Sequence, residues 1–97
     1  MLVKMHKTPD LRKVVAVCDK EILGKKFEEG KLQLDVNEHF YKGEEKAEEE
    51  IVRMLRGANA MNFTGEKAVA LGVREGFIDK KHILRVKGIP HAQAVMN

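Results

Sequence analysis

The side chains best equipped for chemistry in this sequence are one cysteine, Cys18, and four histidines, His6, His39, His82 and His91. Cys18 is followed by Asp19, and His91 follows Pro90. A Cys–His pair acts as nucleophile and base only within hydrogen-bond reach and with a third group orienting the imidazole. Cys18 also closes the β-branched run Val14-Val15-Ala16-Val17, where a cysteine reads first as an inert core residue. None of these residues stands at a C-x-x-C or H-x-x-x-H spacing, so no metal is expected. Gly24, Gly30, Gly65 and Gly72 are too scattered to cradle a phosphate or a dinucleotide, so no cofactor is expected either. Whether the chain is an enzyme is left open, with the balance toward a non-catalytic protein.

The stretch Lys87-Gly88-Ile89-Pro90-His91-Ala92-Gln93 is the most distinctive locally. Gly88 permits a sharp turn and Pro90 stiffens it, while His91 and Gln93 would project on one side of an extended chain. Both donate and accept hydrogen bonds, either to a partner or to the domain's own backbone. The basic residues cluster as Arg12-Lys13, Lys25-Lys26, Lys80-Lys81 and the alternating pair Arg85 and Lys87. Phe40-Tyr41-Lys42 and Phe63 offer stacking surfaces, but aromatics are only 5% of the chain, too few for an RRM-like signature. Any nucleic-acid contact is therefore expected mainly through phosphates.

These groups must be positioned by a chain of 97 residues, enough for one small domain spanning 1–97. With 43% apolar and 34% charged residues, a core is feasible beneath a heavily ionised surface. A single cysteine excludes an intrachain disulfide and agrees with a reducing compartment. The first residues meet Lys4 too early for a signal peptide, and no apolar run is long enough to span a membrane. A soluble, cytoplasmic protein is expected. Residues 1–27 carry seven Lys/Arg against three Asp/Glu, residues 28–52 three against nine, and residues 53–97 eight against three. If folding joins the two basic ends, one positive face results, suited to a polyanion and sensitive to salt.

Leu2 to Lys7 alternates as a strand, Thr8-Pro9-Asp10 forms a turn, and Val14 to Cys18 reads as a strand buried on both faces. Asp19 to Gly24 is a turn, Phe27 sits in a short strand, and Leu32, Leu34 and Val36 share one strand face. After Gly43, the stripe Ala47, Ile51, Met54, Leu55 and Ala58 predicts a helix ending at Gly57. Glu44, Glu45 and Glu48 to Glu50 would crowd its first turns, where the macrodipole favours anions. Ala60 to Phe63 predicts a strand. Thr64 is the candidate cap of a second helix through Ala68, Val69, Leu71 and Val73, closed by Gly76. Ile83 to Val86 is a further strand, and His91 to Val95 a last edge strand or tail, since Pro90 cannot serve a central ladder. The class is α+β, a mixed or antiparallel sheet packed by two helices.

Taken together, several stretches resemble an archaeal family, the domain of unknown function 424. They are Cys18-Asp19 through Leu23-Gly24-Lys25, Phe27 to Gly30, Leu34-x-Val36 to Phe40-Tyr41-x-Gly43, Ala58 to Asn62, Gly65-Glu66, Gly72 and Gly88 to Gln93. The resemblance spans nearly the whole chain and implies an archaeal, cytoplasmic, single-domain protein with a loose association with translation and RNA. The leading expectation is an accessory protein that binds RNA or a ribonucleoprotein through Arg12, Lys13, Lys25, Lys26, Lys80, Lys81, Arg85 and Lys87. One alternative is a small enzyme or ligand-binding protein with a site built from Cys18, Asp19, Asn62 and His91, Pro90 and Gln93 joining them as candidates for a ligand or partner site. Another is a protein–protein interaction module. No oligomeric state is read from the sequence.

Overall fold

A computed structural model describes residues 1–96. Strands β1 (Leu2–Lys7) and β2 (Lys13–Cys18) form an antiparallel hairpin. Its turn is closed by the Thr8 and Leu11 amides, which donate to Arg12 and Thr8 carbonyls at 2.9 Å, while the Thr8 hydroxyl bonds Asp10. A 3-10 turn (Lys20–Ile22) leads to a separate hairpin of β3 (Lys26–Glu29) and β4 (Leu32–Asp35), then to the short helix α1 (Glu38–Tyr41). There follow β5 (Glu44–Glu45), helix α2 (Glu48–Arg56), β6 (Ala60–Thr64) and helix α3 (Glu66–Arg74). A second 3-10 turn (Lys80–His82), β7 (Leu84–Val86) and β8 (Ile89–Val95) complete the chain. The main sheet runs β5-β1-β2-β6-β8-β7, with β2–β6 parallel and the other pairs antiparallel. The fold is α+β, as expected, with a third helix in α1.

Alternation along each strand sorts side chains onto two faces. Val3, Val15, Val17, Met61, Phe63 and Ala92 point to a helical face, where Ile51, Leu55, Ala68, Val69 and Leu71 of α2 and α3 bury them. Leu2, Ala16, Cys18 and Val86 point to the opposite, hairpin face, covered by Leu34, Val36 and Tyr41. Because β2 lies inside the sheet with both faces covered, Val15 to Cys18 are fully buried. Leu32 departs from the expected half-buried stripe. At the start of β4 it lies outside the buried cluster that holds Leu34 and Val36 and is 43% exposed.

Three local expectations are corrected. Glu44 and Glu45 do not open the helix: they pair with Val3 and Leu2 at the sheet edge, and α2 starts only after Ala47. Gly43 permits this, since a Cβ there would overlap the Val3 carbonyl. Thr64 does not cap α3. The N-cap is Gly65 at φ +110°, and the cap oxygens come from a distant residue, Asp19. Finally, β8 is neither an edge strand nor a tail but lies between β6 and β7. Pro90 is tolerated because the β6 ladder ends at Thr64↔His91, where Gly65 N–H donates to the Pro90 carbonyl at 2.9 Å. The ladder there has no need of the missing proline donor.

Candidate functional site

Helix α1 crosses the hairpin face of the sheet and is held there by the alternation of β1. Asn37 caps it, accepting from the His39 N–H at 2.7 Å. Lys4 and His6 both point to this face: Lys4 Nζ donates to the His39 carbonyl and His6 Nε2–H to the Phe40 carbonyl, each at 2.8 Å. The His6 ring lies flat on Phe40 at 4.7 Å and 11°, and Phe40 meets Tyr41 edge-on at 5.0 Å. Beside this stack opens a cleft of about 480 Å³, whose sheet side is formed by Asn62, His91 and Gln93. Asp35, Asn37 and His39 form its opposite rim.

A hydrogen-bonded chain runs from the core into this cleft. Tyr41 OH and Thr64 Oγ1 are 2.8 Å apart, Thr64 Oγ1 and His91 Nδ1 are 2.8 Å apart, and Gln93 Nε2 lies 3.1 Å from His91 Nε2. Thr64 is fully buried and Tyr41 is 4% exposed, so the inner links are shielded from water. With the Gln93 amide nitrogen toward the ring, His91 Nε2 accepts and the ring proton sits on Nδ1, donated to Thr64; with the amide turned over, both bonds reverse. Burial pushes the His91 pKa down, which favours this neutral ring. Burial raises the Tyr41 phenol, with the Thr64 bond pulling the other way. The result is a neutral imidazole anchored at Nδ1 by Thr64, with Nε2 beside Gln93 at the cleft.

The six sequence candidates for a ligand site therefore divide. Asn62, His91 and Gln93 converge in the cleft, Asn62 and Gln93 as direct cross-strand neighbours. Cys18 is sealed in the core, its thiol pushed up to about 11 by burial first and by neighbouring Asp19 second. The rungs Cys18↔Thr64↔His91 leave Cys18 and His91 two strands apart, roughly 10 Å between backbones. That separation excludes a Cys–His pair. Asp19 accepts from the Lys67 and Ala68 N–H groups at 3.1 and 2.8 Å, fixing the start of α3. A Cβ on Gly65 would overlap that carboxylate, which is why glycine stands there. Pro90 is buried and lines a separate groove on the helical face.

Of the eight basic candidates, Lys80 and Arg85 line one groove beside α3, and the others stand on separate elements. Arg12 and Lys13 stand at the turn end of β1–β2, next to Lys7. Lys87 is at the opposite end, in the tight β7–β8 turn, where its N–H donates to Glu29. Lys25 and Lys26 lead into the covering hairpin, and Lys80 and Lys81 form the 3-10 turn before β7. Arg85 alternates onto the helical face and pairs with Glu66 at 3.0 Å. Charge adjacency along the chain did not translate into a shared flank, because strand direction and alternation separated the clusters.

Sequence reasoning missed Thr64, which it read as a helix cap, and His6, which it left among scattered histidines. Tyr41 was seen only as a stacking surface. The available signal was parity: His6, Asn62, Thr64, His91 and Gln93 all sit on the strand positions opposite the large apolar residues. Among the described residues, no group of three His, Cys, Asp or Glu side chains is placed to hold a metal ion. No described helix is long and apolar enough to cross a membrane.

The architecture defines a class first: an α+β domain with a mostly antiparallel mixed sheet, two helices on one face and a hairpin and short helix on the other. Within that class, a family model described as Protein of unknown function (DUF424) matches residues 6–96, and the chain belongs to that family. The fold is similar to a crystal structure of an uncharacterized conserved protein from Methanopyrus kandleri. The two are 27% identical with a TM-score of 0.80, over 99% of this chain and 92% of the other. No curated protein matches the chain.

Proposed function

We propose that this chain is a non-enzymatic accessory protein of the archaeal cytoplasm that binds single-stranded RNA in or near the translation machinery. The binding surface of this reading is the hairpin face rather than the dispersed basic clusters. The observation that carries it is the uncovered part of that face. There the His6–Phe40 stack and the amides of Asn62 and Gln93 stand exposed or half-buried on adjacent elements. Bases splayed from a single strand are held in this way, by stacking on rings and hydrogen bonds to their edges. Lys7, Arg12 and Lys13 stand at the β1–β2 turn end of the sheet, Arg12 and Lys13 exposed and Lys7 half-buried, outside the ion pairs among the described residues. Lys7 and Lys13 alternate to the helical side of that edge, so a strand leaving the hairpin face would bring its phosphates to them around the turn. The relative from Methanopyrus kandleri supports the archaeal setting.

Anisotropy titration of a labelled single-stranded RNA across salt concentrations tests this. Joint replacement of Lys7, Arg12 and Lys13 by alanine should flatten the log-affinity slope by about 2, at roughly 0.7 per phosphate contact. Alanine at Lys80, Lys81 and Arg85 should leave it nearly unchanged. Absent binding, or the opposite ranking of the two variants, overturns the reading. A second reading, a pocket for a small polar ligand, is favoured by the enclosed Thr64–His91 link. It predicts mononucleoside-sized binding without salt dependence. Retention of a partner protein after nuclease treatment would instead favour an interaction module.

A further inference from the structure

A pair of apolar side chains of the same shape would hold the fold about as well as the chain of hydroxyls behind His91. Burying Tyr41 OH and Thr64 Oγ1 stabilises little by itself, because their bonds replace equally good bonds to water. Its geometric consequence is specific, however. With the Gln93 amide nitrogen toward the ring, Thr64 accepts the Nδ1 proton and Nε2 keeps its lone pair at the cleft lining. In the free protein the Gln93 amide occupies that lone pair, from an exposed and therefore displaceable side chain. Directly across the ladder from Gln93 stands Asn62, with its own donor and acceptor. Cross-strand neighbours have Cβ atoms about 5 Å apart, the scale of the hydrogen-bonding edge of one heterocycle.

Resting on the RNA-binding reading above, we infer that the cleft reads one unstacked nucleobase, an amino-bearing base whose N–H donates to His91 Nε2. Thr64 and Tyr41 are positioning residues: they hold the imidazole in the tautomer that accepts. The incoming amine takes the place of the Gln93 amide, exchanging one hydrogen bond for another. The released Gln93 and the adjacent Asn62 then meet the acceptor atom beside that amine. An amine with no hydrogen to give would displace Gln93 and leave the lone pair unpaired, which a partly buried site penalises. Selectivity therefore comes from the missing donor and not from stacking, which every base supplies.

Two measurements decide this. The first is the ¹⁵N–¹H correlation of the His91 ring in the free protein, with expected protonation at Nδ1. Thr64→Val keeps the side-chain shape but removes the hydroxyl, and should shift the ring toward the Nε2–H form; Tyr41→Phe should shift it less. An Nε2–H ring in the wild type, or no change in a folded Thr64→Val protein, overturns the inference. The second uses the wild type alone and so does not depend on any variant folding. An oligoadenosine should bind roughly tenfold more tightly than the same oligomer built from N6,N6-dimethyladenosine, the ratio expected for one hydrogen bond. His91→Phe should reduce that ratio to about one. Equal binding of the two oligomers defeats the base-reading claim and leaves the RNA reading standing. Failure of both to bind defeats the two together.

Discussion

Replacing Asp19 by alanine separates a structural carboxylate from a ligand-binding one. Asp19 is 8% exposed, and its two oxygens accept from the Lys67 and Ala68 N–H groups at the start of α3. Removing a helix N-cap of this kind costs about 1–2 kcal/mol. The Ala68 N–H is buried and would lose its partner, and the helix would lose a negative charge at its positive end, adding roughly 1 kcal/mol. The variant should therefore be about 2–3 kcal/mol less stable, a fall in Tm of roughly 10–20 °C for a chain of this size. Asp19→Asn keeps one acceptor oxygen and should lose about half as much. Urea unfolding followed by circular dichroism measures the loss, with the slope m unchanged, since the surface exposed on unfolding is the same. Hydrogen exchange at the Lys67 and Ala68 amides should accelerate first. A variant that melts within about 2 °C of the wild type, on the scale of the same stability relation, would refute the assignment. So would one whose RNA affinity falls while its exchange pattern stays native.

Gly43→Ala should be among the most damaging single changes, because the added Cβ meets the Val3 carbonyl, and backbone can give way only by unpairing β5 from β1. Loss of the Glu44 and Glu45 ladder bonds in an NMR exchange experiment is the expected signature. Cys18 should react with a thiol reagent only as fast as the protein opens, since its side chain is inaccessible. Its folded pKa of about 11 against 9.0 unfolded makes a contribution that is complete below pH 9 and lost as pH climbs to 11. The loss is on the order of 2–3 kcal/mol, and Cys18→Ala should flatten that part of the pH–stability curve. His91 has a depressed folded pKa, so its contribution is present above the unfolded value of 6.5 and is lost as pH falls through the folded one. RNA affinity should fall over the same window as Nε2 gains a proton. Because His6, Asp35 and His39 share the cleft with Tyr41, His91→Gln is the control that identifies the responsible ring. Lys87 occupies a left-handed conformation, φ 52°, in a two-residue turn with Gly88. Lys87→Asn should raise stability by about 0.5–1 kcal/mol in thermal melts, since asparagine enters that region more readily.

Much of the secondary structure was legible because its signals are local. The β-branched run ending at Cys18 has one stable solution, a strand inside a sheet, and the Ile51–Leu55 stripe has one, a helix lying on it. The Thr8–Asp10 turn and the reversal at Glu28 to Lys31 were likewise fixed by residues that touch one another. Helix α1 escaped because four residues carry too little periodicity to register, and its support comes from Lys4 and His6, more than thirty residues away. The misread cap at Thr64 has the same origin. Threonine before a helix is a sound local signal, but the space beside α3 was already filled by Asp19.

What the amino-acid sequence determined alone is the two-sided alternation of β1, the doubly buried run of β2, the helical stripe, the strand position of Asn62, and that His91 and Gln93 share one side wherever the chain is extended. Only the tertiary structure decided which strands lie side by side, and hence that Tyr41, Thr64 and His91, separated by 23 and 27 residues, form one chain of hydrogen bonds. It also decided that Cys18 and Asp19 belong to the core and to a helix end, and that the basic clusters part company. Periodicity is a property of neighbours along the chain, whereas register and strand order are set by how the whole core closes. A shift of one residue in the β6–β8 register would have turned His91 to the helical face and left Thr64 with no partner there.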